Sequence, residues 1–196
     1  MNSAEANQRA ETASVPALKE WAAVVHALLD GRQTVLLRKG GIHEKRFTVA
    51  SSRFLVFPTV AHSHAESTRP EHAGLLELGR PDVTDDALTL RVDLEVVAVI
   101  AVAKPERIAE LEPFHIWTSE SVRQNRIDFR PKHQLTALVV RARALRPEVH
   151  LPLLPAYAGC RSWVDLPVPA DRELAPAVHD DPFLADVARQ VRSAVG

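Results

Sequence analysis

Residues 88–100 read LTLRVDLEVVAVI, and the first nine alternate without a break: Leu88, Leu90, Val92, Leu94 and Val96 on one side, Thr89, Arg91, Asp93 and Glu95 on the other. Successive side chains of a strand point to opposite faces, so a period of two predicts a strand with one face in a core. The stretch runs on as Val97-Ala98-Val99-Ile100. One end of this strand is therefore expected to be half exposed and the other enclosed, across a bend or bulge.

Working outward, residues 135–145 form a second long strand pattern, and residues 151–154, bounded by Pro152 and Pro155, read as one more. Phe54-Leu55-Val56-Phe57, closed by Pro58, is a short continuous apolar run, the pattern of a strand buried on both faces. Residues 33–38, a Gly40-Gly41 turn and a return strand over 46–49 predict a hairpin. Ser14-Val15-Pro16 is a helix start signal, after which Leu18, Trp21, Ala22, Val25, Leu28 and Leu29 recur at helical spacing until Gly31. Residues 61–86 read as a long loop with one short helix at Leu75-Leu76. Lys104-Pro105-Glu106 opens another short helix, and Thr118 caps a further one through Arg126. Asp181-Pro182 begins a terminal helix with Leu184, Val187, Val191 and Ala194 on one face. Residues 1–14 are polar and aperiodic and read as a disordered tail, leaving 15–196 as a single domain. Strands and helices do not alternate regularly, which predicts an α+β fold with a mixed or mainly antiparallel sheet and flanking helices.

The chain has 196 residues, 46% hydrophobic and 25% charged, a balance that folds without a metal or disulfide staple. A single cysteine, no secretory start and no apolar run near the ~20 residues of a bilayer span point to a cytoplasmic protein that does not cross a membrane. With a net charge of −1, no global positive field draws it to nucleic acid, so any such binding needs a local patch.

Several clusters have the residue types for chemistry. Arg38, Lys39, Gly40, Gly41 and His43 concentrate cations and backbone N–H groups around a turn, a combination that holds phosphate or another anion; the alternative is a hairpin with solvated charges. Trp117 with Arg123 and Arg126, and Arg161 with Trp163, pair aromatics with arginines as single-strand or flipped-base recognition does; core packing is the alternative. Pro81-Asp82 precedes Asp93-Leu94-Glu95 at the separation of Pro-Asp…(Asp/Glu)-x-Lys nucleases, with Glu95 where the Lys should stand; two of these carboxylates could hold Mg²⁺, and alternation also explains Asp93 and Glu95 as a wet strand face. His62, His64 and His72 could share a metal, and Cys160 is a nucleophile if a histidine lies beside it. No phosphate loop, dinucleotide fingerprint, Cys-x-x-Cys pair or nucleophile elbow is present, and the sequence leaves the cofactor unknown.

Ala17-Leu18-Lys19-Glu20-Trp21, the segment Leu36 through Glu44, Phe54-Leu55-Val56-Phe57-Pro58-Thr59, His115-Ile116-Trp117 and the segment Tyr157 through Val164 together resemble the bacterial family catalogued as domain of unknown function 1802. That resemblance implies no activity. Relatives set beside restriction-endonuclease-type domains imply a nucleic-acid setting. The first helix-to-strand step is also distantly similar to the ASCH and PUA group of small barrel domains, which bind RNA or coenzyme-like ligands through a Gly-x-Lys-x-x-Glu-x-Arg motif. Gly31 and Arg38 occupy its ends, while Gln33 and Leu36 replace its Lys and Glu. The leading expectation is a non-catalytic domain that binds phosphate or nucleic acid. A metal-dependent nuclease or other hydrolase, and a scaffold working through oligomer or protein contacts, are the alternatives.

Overall fold

The computed structural model describes residues 12–40, 46–159 and 161–196. In chain order the described elements are β1 (Thr12–Trp21), α1 (Ala22–Leu29), β2 (Val35–Lys39), β3 (Arg53–Thr59), α2 (Ser63–Ser67), α3 (Gly74–Gly79), β4 (Ala87–Ala101), α4 (Ser119–Val122), β5 (Leu135–Pro152), β6 (Trp163–Pro169), β7 (Glu173–Ala177) and α5 (Asp181–Val195). One seven-stranded sheet has the order β2-β5-β4-β3-β1-β6, with β7 joining β5 on the edge that β2 also uses. Every pair is antiparallel except β1 with β3, so the fold is α+β with a mixed, mainly antiparallel sheet, as the element order implied.

The alternating stretch is β4, near the middle of the sheet, and it carries two register shifts against β5, between Leu90 and Val92 and between Val96 and Ala98. The expected exposure is reversed. Thr89 and Asp93 on the polar side are buried, whereas Val99 in the apolar run is 55% exposed. Both faces of the sheet are covered along the first half of β4: Leu88 and Leu90 belong to one apolar cluster, Val92 and Leu94 to another. The larger cluster includes α1 and the buried face of α5, with Leu184, Val187, Val191 and Val195. The smaller one joins Ala17, Leu55, Phe57, Leu145, Leu166 and Val168, with Leu174 of β7 packed against it. Strands from both edges thus share one core, which requires the sheet to curl.

Five local expectations are corrected. The helix expected from residue 14 begins only at Ala22, because residues 12–21 lie as a strand between β6 and β3 and satisfy their backbone in two ladders. Thr12 to Ser14, expected in the tail, open that strand, and the rest of the tail lies outside the described residues. Pro16 falls where β1 is paired on the β6 side but not yet on the β3 side, which suits a residue without an N–H. The expected hairpin does not form: β2 pairs with β5, and residues 46–49 are not a strand, since Phe47 packs into the core instead. Residues 61–86 hold the short helix expected at Leu75-Leu76, which is α3, but also α2 and two 3-10 turns where loop was expected. Here Gly79 permits close contact with α1, because a Cβ would stand 2.8 Å from Ala22. Residues 151–154 do not begin a new strand; β5 runs to Pro152.

Asp82 joins three of these elements. It is fully buried in the turn after α3, and its carboxylate accepts from Arg91 Nε of β4 at 2.6 Å and lies 2.8 Å from His26 Nε2 of α1. Removing the buried carboxylate leaves His26 without its partner and Arg91 with Glu148 alone, so Asp82→Ala is expected to cost ~3 kcal/mol in urea unfolding, the low end for breaking a buried pair. Glu77→Ala, which breaks an exposed pair with Arg80, is expected to cost at most ~1 kcal/mol.

Candidate functional site

The site is built where the segment after Thr118 meets the ends of β1 and β2. Thr118 caps α4 as its spacing predicts, accepting from Ser121 N at 3.1 Å. The helix then widens into a π turn over Arg123–Asp128. Such turns re-aim side chains and recur at functional sites. Arg123 is left exposed on one side, while Arg126 turns inward beside Trp21 and Trp117. Burial depresses the Arg126 guanidinium, Glu20 pulls it back up and Arg38 pushes it down again. Glu20 is 2% exposed and accepts from Arg38 Nη1 at 3.1 Å and from the Trp21 N–H at 2.9 Å. Two guanidinium groups therefore act on one carboxylate.

Arg126 also lines a groove of about 430 Å³ with Lys39, Lys132, His133 and Gln134, floored by Val102, Ile127, Pro131 and Leu135. Among the described residues no carboxylate lines it. Lys39 Nζ donates to the Phe129 carbonyl at 2.6 Å and the Ile127 carbonyl at 3.2 Å, tying β2 to the π turn. Burial lowers its pKa, Arg126 lowers it further and Asp128 opposes them. His133 Nδ1 stands 3.4 Å from the Gly40 carbonyl. Beyond Lys39, Phe129 is 55% exposed with the Arg130 guanidinium 4.8 Å from its ring centre.

Of the residues expected to bind, Arg38, Lys39, Gly40 and Trp117 gather here. Gly41, His43 and Cys160 lie outside the described residues. Trp117 is a wall rather than a stacking platform: it is 3% exposed, meets Trp21 edge-on at 6.1 Å, and borders a hollow of about 10 Å³, room for one water but not for a base. Trp163 packs on Phe47 and Phe54 and donates Nε1–H to the Thr48 carbonyl; it reaches Arg38 only through Phe47, over which Arg38 sits at 5.4 Å. Arg161 is exposed and makes no hydrogen bond, ion pair or ring contact among the described residues. Arg123 lies 3.6 Å from Asp128 and borders a separate groove with Glu106 and Glu120. Lys132, His133 and the Phe129–Arg130 pair were not singled out from the sequence, although residues 123–133, RQNRIDFRPKH, carry three arginines, a lysine and a histidine against one aspartate.

The other candidates are held in structural roles. Gln33, in place of the motif lysine, is buried, donates to the Val35 carbonyl at 2.9 Å and accepts from Ile116 N at 3.3 Å; Leu36 is core. Asp93 is not on a wet face: it is buried and bonded to Arg53 at 2.7 Å. Glu95 accepts from Arg141 at 2.7 Å and Arg143 at 3.0 Å, and Asp82 is engaged as described above. His62 is exposed, His72 contacts Arg69 at 2.9 Å, and His64 stacks on Trp21 at 3.8 Å. Among the described residues no group of three or more His, Cys, Asp or Glu could hold a metal ion.

These features define a mixed α+β domain with a cation-lined groove at one end of its sheet. The chain belongs to the family described as Domain of unknown function (DUF1802), which it matches over residues 17–190. No curated protein matches it in sequence. Among solved structures it is similar to the ASCH protein of Zymomonas mobilis, at 11% identity and a TM-score of 0.43 over 92% of this chain and 95% of that one. A tyrosine-to-phenylalanine mutant of that protein aligns at 13% identity and 0.45, over 77% and 88% of the two chains. A serine-to-alanine mutant aligns at 12% and 0.45, over 92% and 96%.

The histidines beside the site predict a pH response. Burial brings His64 down to about 4, and burial, followed by Arg69, brings His115 to about 4. Both values lie below the ordinary 6.5, so unfolding takes up protons as the pH falls. Their contribution to stability is complete above about pH 6.5 and is lost on the way down to about 4, at up to ~1.4 kcal/mol per pH unit for each group. Urea unfolding across that window is expected to show the slope, and His64→Phe, which keeps a ring against Trp21, to make it shallower.

Proposed function

We propose that this domain is a non-catalytic binding module for phosphate-bearing ligands, nucleic acid foremost, and that the groove of Lys39, Arg126, Lys132 and His133 receives the phosphate. The observation that carries the reading is that, among the described residues, three cations and no carboxylate line the groove. Lys39 is held by backbone carbonyls and Arg126 shares Glu20 with Arg38, so the groove keeps a positive surplus for an external anion, and the Arg126 guanidinium offers a planar fork for phosphate oxygens. Phe129, open on the surface with Arg130 beside it, adds a ring on which an unpaired base stacks, which favours single strands over duplex. The overall charge of −1 leaves this attraction local. A hydrolase using Asp82, Asp93 and Glu95 draws no support from carboxylates that arginines already hold.

Filter binding of single-stranded DNA and RNA between about 50 and 200 mM salt tests the reading. Affinity is expected to fall linearly on logarithmic axes. Lys132→Ala and Arg126→Ala are each expected to flatten the slope by roughly 0.7, whereas Phe129→Ala weakens binding with the slope unchanged. Arg123→Ala, outside the groove, leaves binding as it was. Absence of binding to any DNA or RNA at the low-salt end overturns the proposal.

A further inference from the structure

A second hollow, of about 300 Å³, opens on another part of the sheet between the start of β3, the middle of β4 and the turn joining β6 to β7. Val15, Ala170 and Leu174 line its apolar side, and Arg53, Arg172 and Asp93 its polar side. Asp93 pairs in register with Arg143 of β5, eight residues along that strand from Leu135 of the groove. At about 3.3 Å per residue the two sites are on the order of 25 Å apart.

The charges here are arranged so that a buried anion points a cation outward. Asp93, 4% exposed, holds Arg53 through Nε alone, at 2.7 Å. Both terminal nitrogens of Arg53 therefore have no partner among the described residues, and its side chain is 51% exposed. Arg172 donates one nitrogen to the Pro169 carbonyl and has no carboxylate partner among the described residues. Among the described residues two guanidinium groups and one carboxylate line the hollow, and Arg143 adds positive charge near Asp93 while engaged with Glu95. Burial pushes the Asp93 carboxyl up while these arginines pull it down.

We propose that Arg53 and Arg172 form a binding site for a small oxyanion, a phosphate or carboxylate group, with Asp93 as the positioning residue that presents Arg53. The free end of the Arg53 guanidinium has the two parallel donors that match two oxygens of such a group. Arg172, on the same polar side, supplies a second guanidinium, and the apolar side accommodates the carbon skeleton attached to the anion. The site does not depend on the groove described above.

The test is a titration of the full chain with inorganic phosphate and, separately, with succinate, followed through the Nε–H signals of Arg53 and Arg172 by nuclear magnetic resonance. Saturable shifts of both signals are expected with at least one of the two anions, and the anion that produces them identifies the ligand class. Arg172→Gln, a change in a surface turn, is expected to weaken that binding on the order of tenfold, the loss of one charged hydrogen-bonding partner. Asp93→Asn is expected to weaken it while leaving Arg172 shifted. Lys132→Ala, in the groove, is expected to leave it unaltered. No saturable shift with either anion, or the same affinity in Arg172→Gln, overturns the proposal. Loss of the response in Lys132→Ala assigns it to the groove and equally overturns the second site.

Discussion

The antiparallel ladder between β4 and β5 is the constraint on which the rest of the molecule depends. Strands of 15 and 18 residues are far longer than the five or six usual in globular domains, and a flat pair of that length cannot cover both of its faces. The register shifts at Arg91 and Val97 let the pair twist and bend. One stretch of β4 then faces the helices while another faces the curled edges of the sheet. Every other strand is placed by this pair: β3, β1 and β6 extend outward from β4, and β2 and β7 share the free edge of β5. The groove lies where β2 ends and β5 begins, so its position follows from the ladder as well.

How much of this was legible depended on whether a pattern was local. The alternation of residues 88–96 identified β4 because period two survives any arrangement of neighbours. It did not reveal which side would be wet, since Thr89 and Asp93 are covered by segments distant in sequence, including the turn that carries Arg172. Leu18 and Trp21 fit a helical spacing with Val25 and Leu28 by coincidence. The two ladders available to residues 12–21 outweigh a propensity difference of a few tenths of a kcal/mol per residue. The Gly40-Gly41 turn suggested a hairpin, but an apolar β2 gains more from pairing with the core strand β5 than with the polar residues that follow it.

The site was legible in part for the same reason. Arg38 and Lys39 stood out because they flank glycines. Trp117 stood out as an aromatic near arginines, yet it packs edge-on against Trp21, which no local pattern connects to it. The cations of residues 123–133 were present in plain view, but which of them point into the groove is decided by the π turn, where one additional residue per turn separates Arg126 from Arg123. The Glu20–Arg38 pair, joining β1 to β2, is a contact between strands that are not neighbours in the sheet.

A net charge near zero conceals how these charges are distributed. Arginine is abundant here, and much of it has a definite use: Glu20 faces Arg38 and Arg126, Asp82 faces Arg91, Asp93 faces Arg53 with Arg172 and Arg143 nearby, and Glu95 faces Arg141 and Arg143. A guanidinium is well suited to such work because it stays charged and divides its donors among several acceptors. At several of these carboxylates the arginines outnumber the anion, so a local positive surplus remains. Screening in physiological salt acts over about 8 Å, which means that a ligand responds to that local surplus rather than to the sum over the molecule. The compensating acids, Glu106 and Glu120 among them, line other surfaces. A near-neutral protein of this kind carries positive surpluses at discrete points, and composition alone is blind to where those points lie.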